Sequence, residues 1–523
     1  MECFETVKKQ LVDRDYAILV CKMLPNESLC QEVVHLFPNL FVDWIWLVDK
    51  NDITENQHIA LNMHNPYGVS FYHFSEKHQW CIFSGCLKNI PNQIISCVED
   101  FSLDDDELKL WFRLPENKVA VKNVAIIGGG IAGATVAYAL ARRGVSVQLF
   151  EAQTIANAAS GNRQGLLYAK ISPYDTMQSR LLLRSYAYTR SLLDNLLPDK
   201  KSWSDCGVLH LDFDDNEKER NIKLGNKSTS LYRYVDANEA TQLAGVDLSV
   251  GGLWWQCGAW INPSSLVHKL LDHKNIQIFE DAPIVDLNFQ DGIWHLKTLE
   301  KLFSASHVVL CTGAEDSLIQ NFGLDISIIG GQTDNIEATE FSGSLKIALS
   351  AEKYISPAWD NQHCFGATFH PNRKLNQTSD EDFQNNLQEL KNLPTSIVKS
   401  FNEQQRLESH AATRADSFDH LPIVGSIGDN KAMQKVYAKL AFDKNYRFFK
   451  EKCPYFPQLY ISTAHGSRGL CTAPLCGEAI AAEILERFHP LGDIVRSAIS
   501  PNRLIIRNIV RHGRENLGYT QNA

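Results

Sequence analysis

The chain has 523 residues, of which 44% are hydrophobic and 21% charged, with 30 glycines and 18 prolines. These fractions are typical of a folded globular protein and exclude the disordered, collagen-like and coiled-coil classes. The net charge of −10 is uneven, because residues 1–120 hold 18 acidic and 10 basic side chains. Residues 501–523 instead hold four arginines and one glutamate. This basic end is a charge feature that favours a polyanionic partner.

The thirteen cysteines do not follow a metal-binding or redox pattern, and the closest pairs, Cys81/Cys86 and Cys471/Cys476, are each five residues apart. We therefore expect free thiols, no metal site and a reducing compartment. No signal peptide is visible at the N terminus. The uncharged stretch 124–141 contains three consecutive glycines, which favours a strand, turn and helix over a membrane span. The sequence predicts a cytoplasmic protein with no membrane contact.

The first region of the chain, residues 1–118, has only two glycines. Short apolar runs such as 16–20 and 41–48 predict strands or buried segments in it. The acidic run 104–107 is typical of a solvated linker or helix start. We interpret this region as a small α/β unit followed by an acidic linker.

A dinucleotide-binding motif begins directly after this linker. Residues 122–127 form an apolar run that predicts a strand, Gly128, Gly130 and Gly133 follow, and residues 134–143 favour a helix. The glycines allow a tight turn, close approach of the backbone to a pyrophosphate, and close packing of helix on strand. Glu151 ends the next predicted strand, where a carboxylate can accept hydrogen bonds from both ribose hydroxyls. Such an acid disfavours a 2′-phosphate and leaves NAD or FAD.

Three later features favour FAD. The first is a loop of small and polar residues at 159–165, suited to wrapping a flavin diphosphate. The second is an apolar strand, 307–311, that ends in Thr312-Gly313. The third is a second glycine turn that opens a helix, whose positive end can face the flavin ring. The cofactor-binding residues predicted from these features are Ser160, Asn162, Arg163, Gln164, Gly165, Thr312, Gly313, Gly466, Ser467 and Gly469.

The order of these motifs resembles the superfamily of FAD-dependent D-amino-acid oxidases and glycine oxidases. Four segments, 159–165, 419–425, 466–475 and 501–504, more specifically resemble the oxidoreductase half of the bifunctional tRNA 5-methylaminomethyl-2-thiouridine biosynthesis family. The resemblance covers about residues 119–515. It implies an α/β fold with a Rossmann-like FAD-binding lobe and an antiparallel substrate-binding sheet, joined here to a small N-terminal α/β remnant.

The resemblance also implies a reaction on tRNA. The flavin half of that family oxidatively removes the carboxymethyl group from 5-carboxymethylaminomethyl-(2-thio)uridine and leaves 5-aminomethyl-(2-thio)uridine. The other half of the family methylates this product with S-adenosylmethionine. That methyltransferase domain is much longer than 118 residues and needs a glycine-rich loop, which does not occur before Gly128. We therefore interpret 1–118 as a truncated or degenerate methyltransferase-like region, 119–490 as the oxidoreductase domain and 491–523 as a basic tail, with a separate methyltransferase as a possible partner.

The substrate arm is an N-substituted glycine, so its carboxylate needs a fixed cation, and arginine binds both oxygens at once. Arg414 is the first candidate, because its position resembles that of the arginine that grips the substrate carboxylate in glycine-oxidase relatives. Arg468 is the second candidate and Arg163 the third, although both lie in loops that are expected to serve the cofactor. A structural salt bridge is the alternative for Arg414. Tyr168 and Tyr354 are candidates for the pocket wall or for the core.

The basic tail carries Arg503, Arg507 and Arg511 at helical spacing, with isoleucine and valine on the opposite face. We expect this stripe to contact the tRNA backbone, the alternative being a docked helix whose arginines only face water. Three other functions stay open at this point. They are a bifunctional enzyme that also methylates its product, a small-molecule glycine or sarcosine oxidase, and a tRNA-binding flavoprotein without turnover.

Overall fold

The computed structural model describes residues 108–115, 119–227, 231–315, 317–401, 405–487 and 489–516, together with isolated residues and the backbone of four strands before residue 86. Strands are numbered β1 to β25 and helices α1 to α11 along the chain. The first four strands form one sheet in the order β1-β2-β3-β4, parallel except for β4. They are Tyr16–Cys21 (β1), Phe41–Val48 (β2), Asn65–Phe74 (β3) and Gln79–Gly85 (β4). The predicted acidic linker at 104–107 and the side chains of the Cys81/Cys86 pair lie outside the described residues.

A six-stranded sheet forms the centre of the larger α/β lobe. Its order is β13-β6-β5-β17-β25-β24, and every pair is parallel except β25 with β24. The strands are Val124–Ile127 (β5), Val147–Phe150 (β6), Ile276–Phe279 (β13), His307–Leu310 (β17), Ile423–Gly428 (β24) and Tyr455–Thr463 (β25). Because β5, β6 and β17 are buried on both faces, their sequences are almost continuously apolar.

Helices cover one face of this sheet and bury the largest hydrophobic cluster of the lobe. They are Ile131–Ala141 (α1), Met177–Leu196 (α2), Pro263–Leu271 (α5), Gly469–Ile484 (α9) and Gly492–Ile499 (α10). Helix α1 is apolar all round because it lies between the sheet and α9. The two helices approach so closely that a Cβ on Gly477 would lie 2.7 Å from the backbone of Thr135. The uncharged stretch 124–141 is therefore the strand, turn and helix that its glycines predict.

The other face carries a second hydrophobic cluster. A three-stranded antiparallel sheet and three helices contribute to it. They are Asp286–Gln290 (β14), Ile293–Lys297 (β15), Leu302–Ala305 (β16), Ser317–Gln320 (α6), Asn430–Val436 (α8) and Asn502–Asn516 (α11). Leu504, Ile505 and Ile509 of α11 are buried in this cluster, so the C-terminal helix packs on the lobe as one of its own layers.

The predicted antiparallel sheet is present as a nine-stranded sheet, in which only β9 with β19 is parallel. Its strands are Val208–Leu211 (β9), Arg233–Val235 (β10), Gly252–Trp255 (β11), Ser327–Glu337 (β18), Ala348–Ser350 (β19), Tyr354–Ile355 (β20), Gln362–Gly366 (β21), His370–Pro371 (β22) and His410–Asp416 (β23). Ala237–Ala244 (α4) and Asp380–Lys391 (α7) bury a third cluster against it, and Asp215–Gly225 (α3) lies beside β10 and β11. A small sheet of Gly165–Leu167 (β7), Trp203–Ser204 (β8) and Ala259–Ile261 (β12) lies beside the cofactor loop.

The cysteines whose side chains are described are free thiols, including Cys471 and Cys476. Within the described ranges, no three His, Cys, Asp or Glu side chains cluster as metal ligands. The helices of that same part of the chain are all too short or too polar to cross a bilayer.

Candidate flavin and substrate site

The glycine turn between β5 and α1 forms a backbone cradle. Gly128 has a φ of +114°, and a Cβ there would lie 2.2 Å from the carbonyl oxygen of Cys311. A Cβ on Gly133 would lie 1.9 Å from the carbonyl oxygen of Gly128. Gly130 is the N-cap of α1 and lines the cavity at the helix N terminus. Only glycine fits at 128 and 133, and the resulting turn directs the helix N terminus into the cavity.

Glu151 follows β6 directly and lines the cavity beside the cradle. Its Oε2 accepts a hydrogen bond from the backbone N–H of Gly129 at 2.7 Å, and its Oε1 accepts one from Gln153 at 3.0 Å. These contacts fix the carboxylate at the carboxyl end of the parallel strands. That is the position in which an acid binds the ribose of a dinucleotide.

The loop 159–165 closes over the cradle. The Oγ of Ser160 accepts a hydrogen bond at 3.0 Å from the N–H of Ile131, the first residue of α1. Asn162 donates to the carbonyl oxygen of Gln164 at 3.0 Å and accepts from Thr333 at 2.9 Å, which ties the loop to the nine-stranded sheet. Ser160, Asn162 and Gly165 line the cavity, as predicted for cofactor-binding residues.

Two residues of this loop need a correction, because neither is among the described residues that line the cavity. The guanidinium of Arg163 lies 4.5 Å from the ring centroid of Trp359 and donates to the carbonyl oxygen of that residue at 2.7 Å. Gln164 is buried and donates to the carbonyl oxygen of Pro357 at 3.1 Å. Both side chains anchor the loop to the neighbouring segment from behind and so shape the site without facing it.

The opposite wall comes from two turns at the ends of β17 and β25. Thr312 and Gly313 follow β17, and Gly466, Ser467 and Gly469 lead from β25 into α9. All five line the same cavity, which has a volume of about 1870 Å³ and lies between the two large sheets. That volume exceeds the ~300–1,000 Å³ of ordinary small-molecule sites, so the cavity has room for a dinucleotide together with a substrate.

A flavin dinucleotide fits this arrangement. The cradle offers bare backbone and a helix N terminus to a pyrophosphate, Glu151 suits the ribose, and the turn before α9 offers a second helix N terminus at the far wall. Gly133 supports the cradle from behind rather than lining it, which is the packing role that its position predicts.

Arg414 lies on the cavity wall in β23, opposite Ile329 of β18. One of its terminal nitrogens, Nη1, donates to the Oγ of Ser467 at 3.0 Å. Its Nε is buried and has no hydrogen-bond partner among the described residues. Burial lowers the pKa of this guanidinium, and no carboxylate forms a salt bridge with it in the part of the chain that the structure describes. A partly buried cation whose Nε lacks a partner among the described residues is suited to an anionic ligand.

Lys353 is a further candidate site residue, which the sequence analysis did not identify. It lines the same cavity, and its Nζ donates to the carbonyl oxygen of Ala367 at 2.6 Å. Burial, and to a smaller extent Arg414, lowers the pKa of this lysine. In the sequence, the only feature that points to Lys353 is its position directly before Tyr354. It lies there in a short polar connection between β19 and β20 of the nine-stranded sheet. Lys353 and Arg414 thus place two cationic groups in this wall, beside the carboxylates of Glu352 and Glu389, which also line the cavity and act electrostatically on Lys353.

Arg468, the second candidate, does not line the cavity among the described residues, although its neighbours Ser467 and Gly469 do. Arg468 belongs to the 3₁₀ turn Gly466–Arg468 and acts electrostatically on Tyr168, which does line the cavity. The sequence pattern therefore locates the right turn, and a role of this arginine in binding the substrate stays a prediction.

Tyr168 begins a directional chain of hydrogen bonds that leads out of the cavity. Its hydroxyl lies 2.8 Å from the Oγ of Ser350, which lies 3.4 Å from Nδ1 of His210, and Nε2 of that histidine lies 2.9 Å from a carboxylate oxygen of Glu217. Arg220 pairs with this carboxylate, and the histidine and arginine hold its pKa at about 2 against the opposing effect of burial.

The ionised Glu217 fixes the direction of the whole chain. Because it can only accept, His210 donates from Nε2 and leaves Nδ1 to accept from Ser350. Burial lowers the pKa of His210 and keeps the ring neutral. Ser350 then accepts from Tyr168, and the tyrosine oxygen has its free lone pair available to the cavity that it lines. Tyr168 is therefore a hydrogen-bond acceptor in the site.

The predicted tRNA-contact stripe is corrected at its first member. Arg503 has a side chain only 9% exposed and forms two 2.9 Å hydrogen bonds with the carboxylate of Asp419. It also donates to the carbonyl oxygen of Leu421 at 2.7 Å, so its donors are committed within the fold. Arg507 lies with its guanidinium 4.1 Å from the ring centroid of Phe418, and Arg511 is exposed. Of the three arginines of the stripe, only Arg511, near the end of α11, is therefore exposed to solvent.

Comparison with known proteins decides the family. The sequence profile of the family described as FAD dependent oxidoreductase matches residues 123–483. The chain belongs to this family. FAD is thus its cofactor, as the motif order predicts.

Two relatives agree with the more specific resemblance. The chain is 37% identical over 410 residues to the tRNA 5-methylaminomethyl-2-thiouridine biosynthesis bifunctional protein of Chromobacterium violaceum, covering 77% of this chain and 62% of that protein. It is 35% identical over 444 residues to the protein of the same description from Pseudomonas savastanoi. This match covers 83% of this chain and 66% of that protein. The chain thus spans somewhat less than two thirds of the length of these relatives, and the predicted resemblance to their flavin half is confirmed.

Solved structures confirm the fold class. Glycine oxidase from Bacillus cereus superimposes with a TM-score of 0.56 at 20% identity, covering 70% of this chain and 95% of that one. Iminodiacetate oxidase from Chelativorans sp. superimposes with a TM-score of 0.56 at 17% identity. This match covers 70% of this chain and 96% of that one. The shared part is the flavin lobe with its antiparallel sheet.

Proposed function

We propose that this chain is a flavin-dependent oxidase of tRNA. It removes the carboxymethyl group from 5-carboxymethylaminomethyl-(2-thio)uridine at the wobble position and leaves 5-aminomethyl-(2-thio)uridine. The names of the relatives support the tRNA substrate. The observation in the structure that supports the chemistry is the partly buried guanidinium of Arg414 in a wall of the flavin cavity, because its buried Nε lacks a partner among the described residues.

The residues of the cavity suit an N-substituted glycine. Arg414 and Lys353 hold the carboxylate, and the lone pair of Tyr168 accepts a hydrogen bond from the amine. FAD, when bound, would supply the acceptor for the hydride that leaves the methylene C–H bond, while the amine loses its proton and the C–N bond becomes an imine. The substrate imine then takes up water and separates into glyoxylate and the primary amine, so the chemistry requires no protein nucleophile. The protein therefore orients the arm and restricts water.

Methylation of the product is assigned, within this proposal, to residues other than 1–523. Residues 1–118 contain no glycine-rich loop of the kind that binds S-adenosylmethionine. We infer that a methyltransferase domain or enzyme outside these residues takes over the primary amine, with both reactions in the cytoplasm beside the tRNA pool.

Anaerobic flavin reduction tests the proposal. The holoenzyme is mixed with tRNA that carries the carboxymethylaminomethyl nucleoside, with tRNA that lacks it, and with sarcosine, while the flavin absorbance near 450 nm is followed. We expect rapid bleaching by the modified tRNA alone. Reduction by sarcosine but by neither tRNA would identify a small-molecule oxidase, and no reduction by any of the three would indicate a flavoprotein without turnover.

A further inference from the structure

A second basic surface, which the tail arginines do not account for, occupies residues 431–452. This segment carries seven basic and two acidic side chains in a chain whose net charge is −10. Lys444, Arg447 and Lys450 are exposed along it. We call residues 431–452 the basic aromatic loop, since five aromatic residues are interspersed among these charges.

The inner aromatic residues of the loop anchor it to the lobe. Tyr437 is fully buried and meets Trp111 edge-on at a centroid distance of 5.5 Å. Phe449 lies 5.0 Å from Tyr437 and 6.1 Å from Trp111 in the same edge-on manner. Because these two rings pack against Trp111 in the core, they hold the loop on the lobe. The remaining aromatic residues of the loop are not needed for this anchoring.

The outer aromatic residues face away from this anchor. Phe448 is 82% exposed and Phe442 is 51% exposed, while exposed basic side chains lie between and beside them in the sequence. Phe448 meets Tyr446 edge-on at a centroid distance of 5.7 Å, but most of its ring surface is exposed to solvent, which costs solvation free energy. Exposed rings among lysines and arginines form the arrangement in which RNA phosphates meet cations and unstacked bases meet aromatic faces.

Helix α11 connects this loop to the catalytic side of the lobe. A Cβ on Gly513 would lie 2.7 Å from the Cβ of Ala441, so the helix packs closely on the loop. Arg511 is exposed on the same last turns of α11. Earlier in the helix, Arg507 stacks on Phe418, two residues beyond the strand β23 that lines the cavity. The basic surface is therefore linked to the cavity wall through one helix.

We propose that the basic aromatic loop, together with Arg511, binds the tRNA substrate, with Phe448 stacking on an unpaired base and the lysines and Arg447 meeting backbone phosphates. This inference rests on the proposed function and adds the surface that holds the macromolecular part of the substrate. It moves the main tRNA contact from the tail stripe to the neighbouring loop. An anionic lipid surface is the competing partner, which the experiment below includes.

The test compares variants of the full-length holoenzyme. One variant reverses three loop charges, Lys444→Glu, Arg447→Glu and Lys450→Glu. A matched control gives the same change of net charge by reversing three exposed lysines elsewhere on the described surface, Lys297→Glu, Lys301→Glu and Lys399→Glu. A third variant, Phe448→Ala, removes the outer ring without changing charge. The affinity of each variant for tRNA is measured by fluorescence anisotropy at several salt concentrations, and its flavin content is recorded as a check of folding.

We expect the loop charge variant to weaken tRNA binding at least tenfold more than the control. The slope of log Kd against log salt should fall by about 0.7–0.9 for each phosphate that the protein no longer neutralises. Phe448→Ala should weaken binding by about fivefold or more and leave that slope unchanged, because stacking is not a counterion-release effect. Phe448→Ala also keeps the test decisive if the triple variant does not fold.

Three outcomes would overturn the inference. Equal affinities of the loop and control variants for tRNA would place the tRNA-binding surface elsewhere. Bleaching of the parent flavin by modified tRNA would in that case still support the proposed function. Binding of the parent to vesicles of phosphatidylglycerol, with loss in the loop variant but no binding of tRNA, would identify a lipid partner. Lack of both tRNA binding and flavin bleaching by the parent would instead remove the proposed function itself.

Discussion

At the residue scale, Arg414 is the position where charge and burial most directly predict chemistry. Arg414→Lys keeps one positive charge but loses the planar pair of donors, which we expect to raise KM for the modified tRNA about 10–100-fold, since a hydrogen bond to a charged group contributes ~1.5–3 kcal/mol. Flavin content should stay near that of the parent. Arg406→Lys, at a surface pair with Asp380, is the control and should leave KM unchanged. An unchanged KM in Arg414→Lys would assign the carboxylate to another group.

The hydrogen-bond chain behind Tyr168 gives a second residue-scale prediction. Tyr168→Phe removes the acceptor, so we expect kcat/KM to fall about 2–12-fold, in line with the ~0.5–1.5 kcal/mol net value of one hydrogen bond. Tyr174→Phe changes the same group at an exposed position and should have no effect. The measurement is steady-state turnover with quantified flavin. Equal rates for both variants would mean that the tyrosine oxygen does not contact the substrate.

Buried histidine gives a pH prediction at the same scale. Burial lowers the pKa of His307 to about 4. The unfolded chain, with a histidine pKa near 6.5, therefore binds more protons than the folded chain between these values, and folding stability decreases as pH falls through this window. From pH 7.5 to pH 5 the loss from His307 is about 2 kcal/mol. Denaturant unfolding at the two pH values should show a smaller loss in His307→Asn than in the parent, and an identical loss would contradict the assignment.

At the element scale, sequence reasoning locates turns well and side-chain directions poorly. The glycine cradle, Glu151 and the two far turns could be predicted because steric and helix-dipole requirements attach to fixed positions in a strand-turn-helix unit. Arg163 and Arg503 point away from their predicted contacts because each side chain binds a partner that is distant in sequence. These partners are Trp359 and Asp419. Lys353 was missed for the same reason, because only the sheet register brings it beside Arg414.

The cradle itself provides the element-scale prediction. Gly133→Ala would place a Cβ 1.9 Å from the carbonyl oxygen of Gly128, so α1 must move away from β5 and the phosphate site must widen. We expect this variant to be purified with much less FAD than the parent, as read from the ratio of absorbance at 450 and 280 nm. Gly343→Ala is the control, since no atom lies within 4 Å of the Cβ it would gain. Full flavin occupancy in Gly133→Ala would show that the close approach is not needed.

At the scale of the whole molecule, one lobe combines three layers with different roles. The parallel sheet supplies the glycine cradle, the antiparallel sheet supplies the cavity wall that carries Arg414, and the last helix with its neighbouring loop supplies a basic surface outside the cavity. The sequence predicts the first two layers from motif order. It predicts the third only as a charge pattern, because the contact of α11 with residues 438–441 is a tertiary one.

Nucleoside mass analysis tests most directly the central claim that this cavity removes the carboxymethyl arm from tRNA. Modified tRNA is incubated with the holoenzyme and oxygen, without S-adenosylmethionine, and digested to nucleosides. We predict loss of the carboxymethylaminomethyl nucleoside, an equal gain of the aminomethyl nucleoside, and a much slower reaction with Arg414→Lys at limiting tRNA. An unchanged nucleoside pool with flavin-loaded protein would contradict the claim.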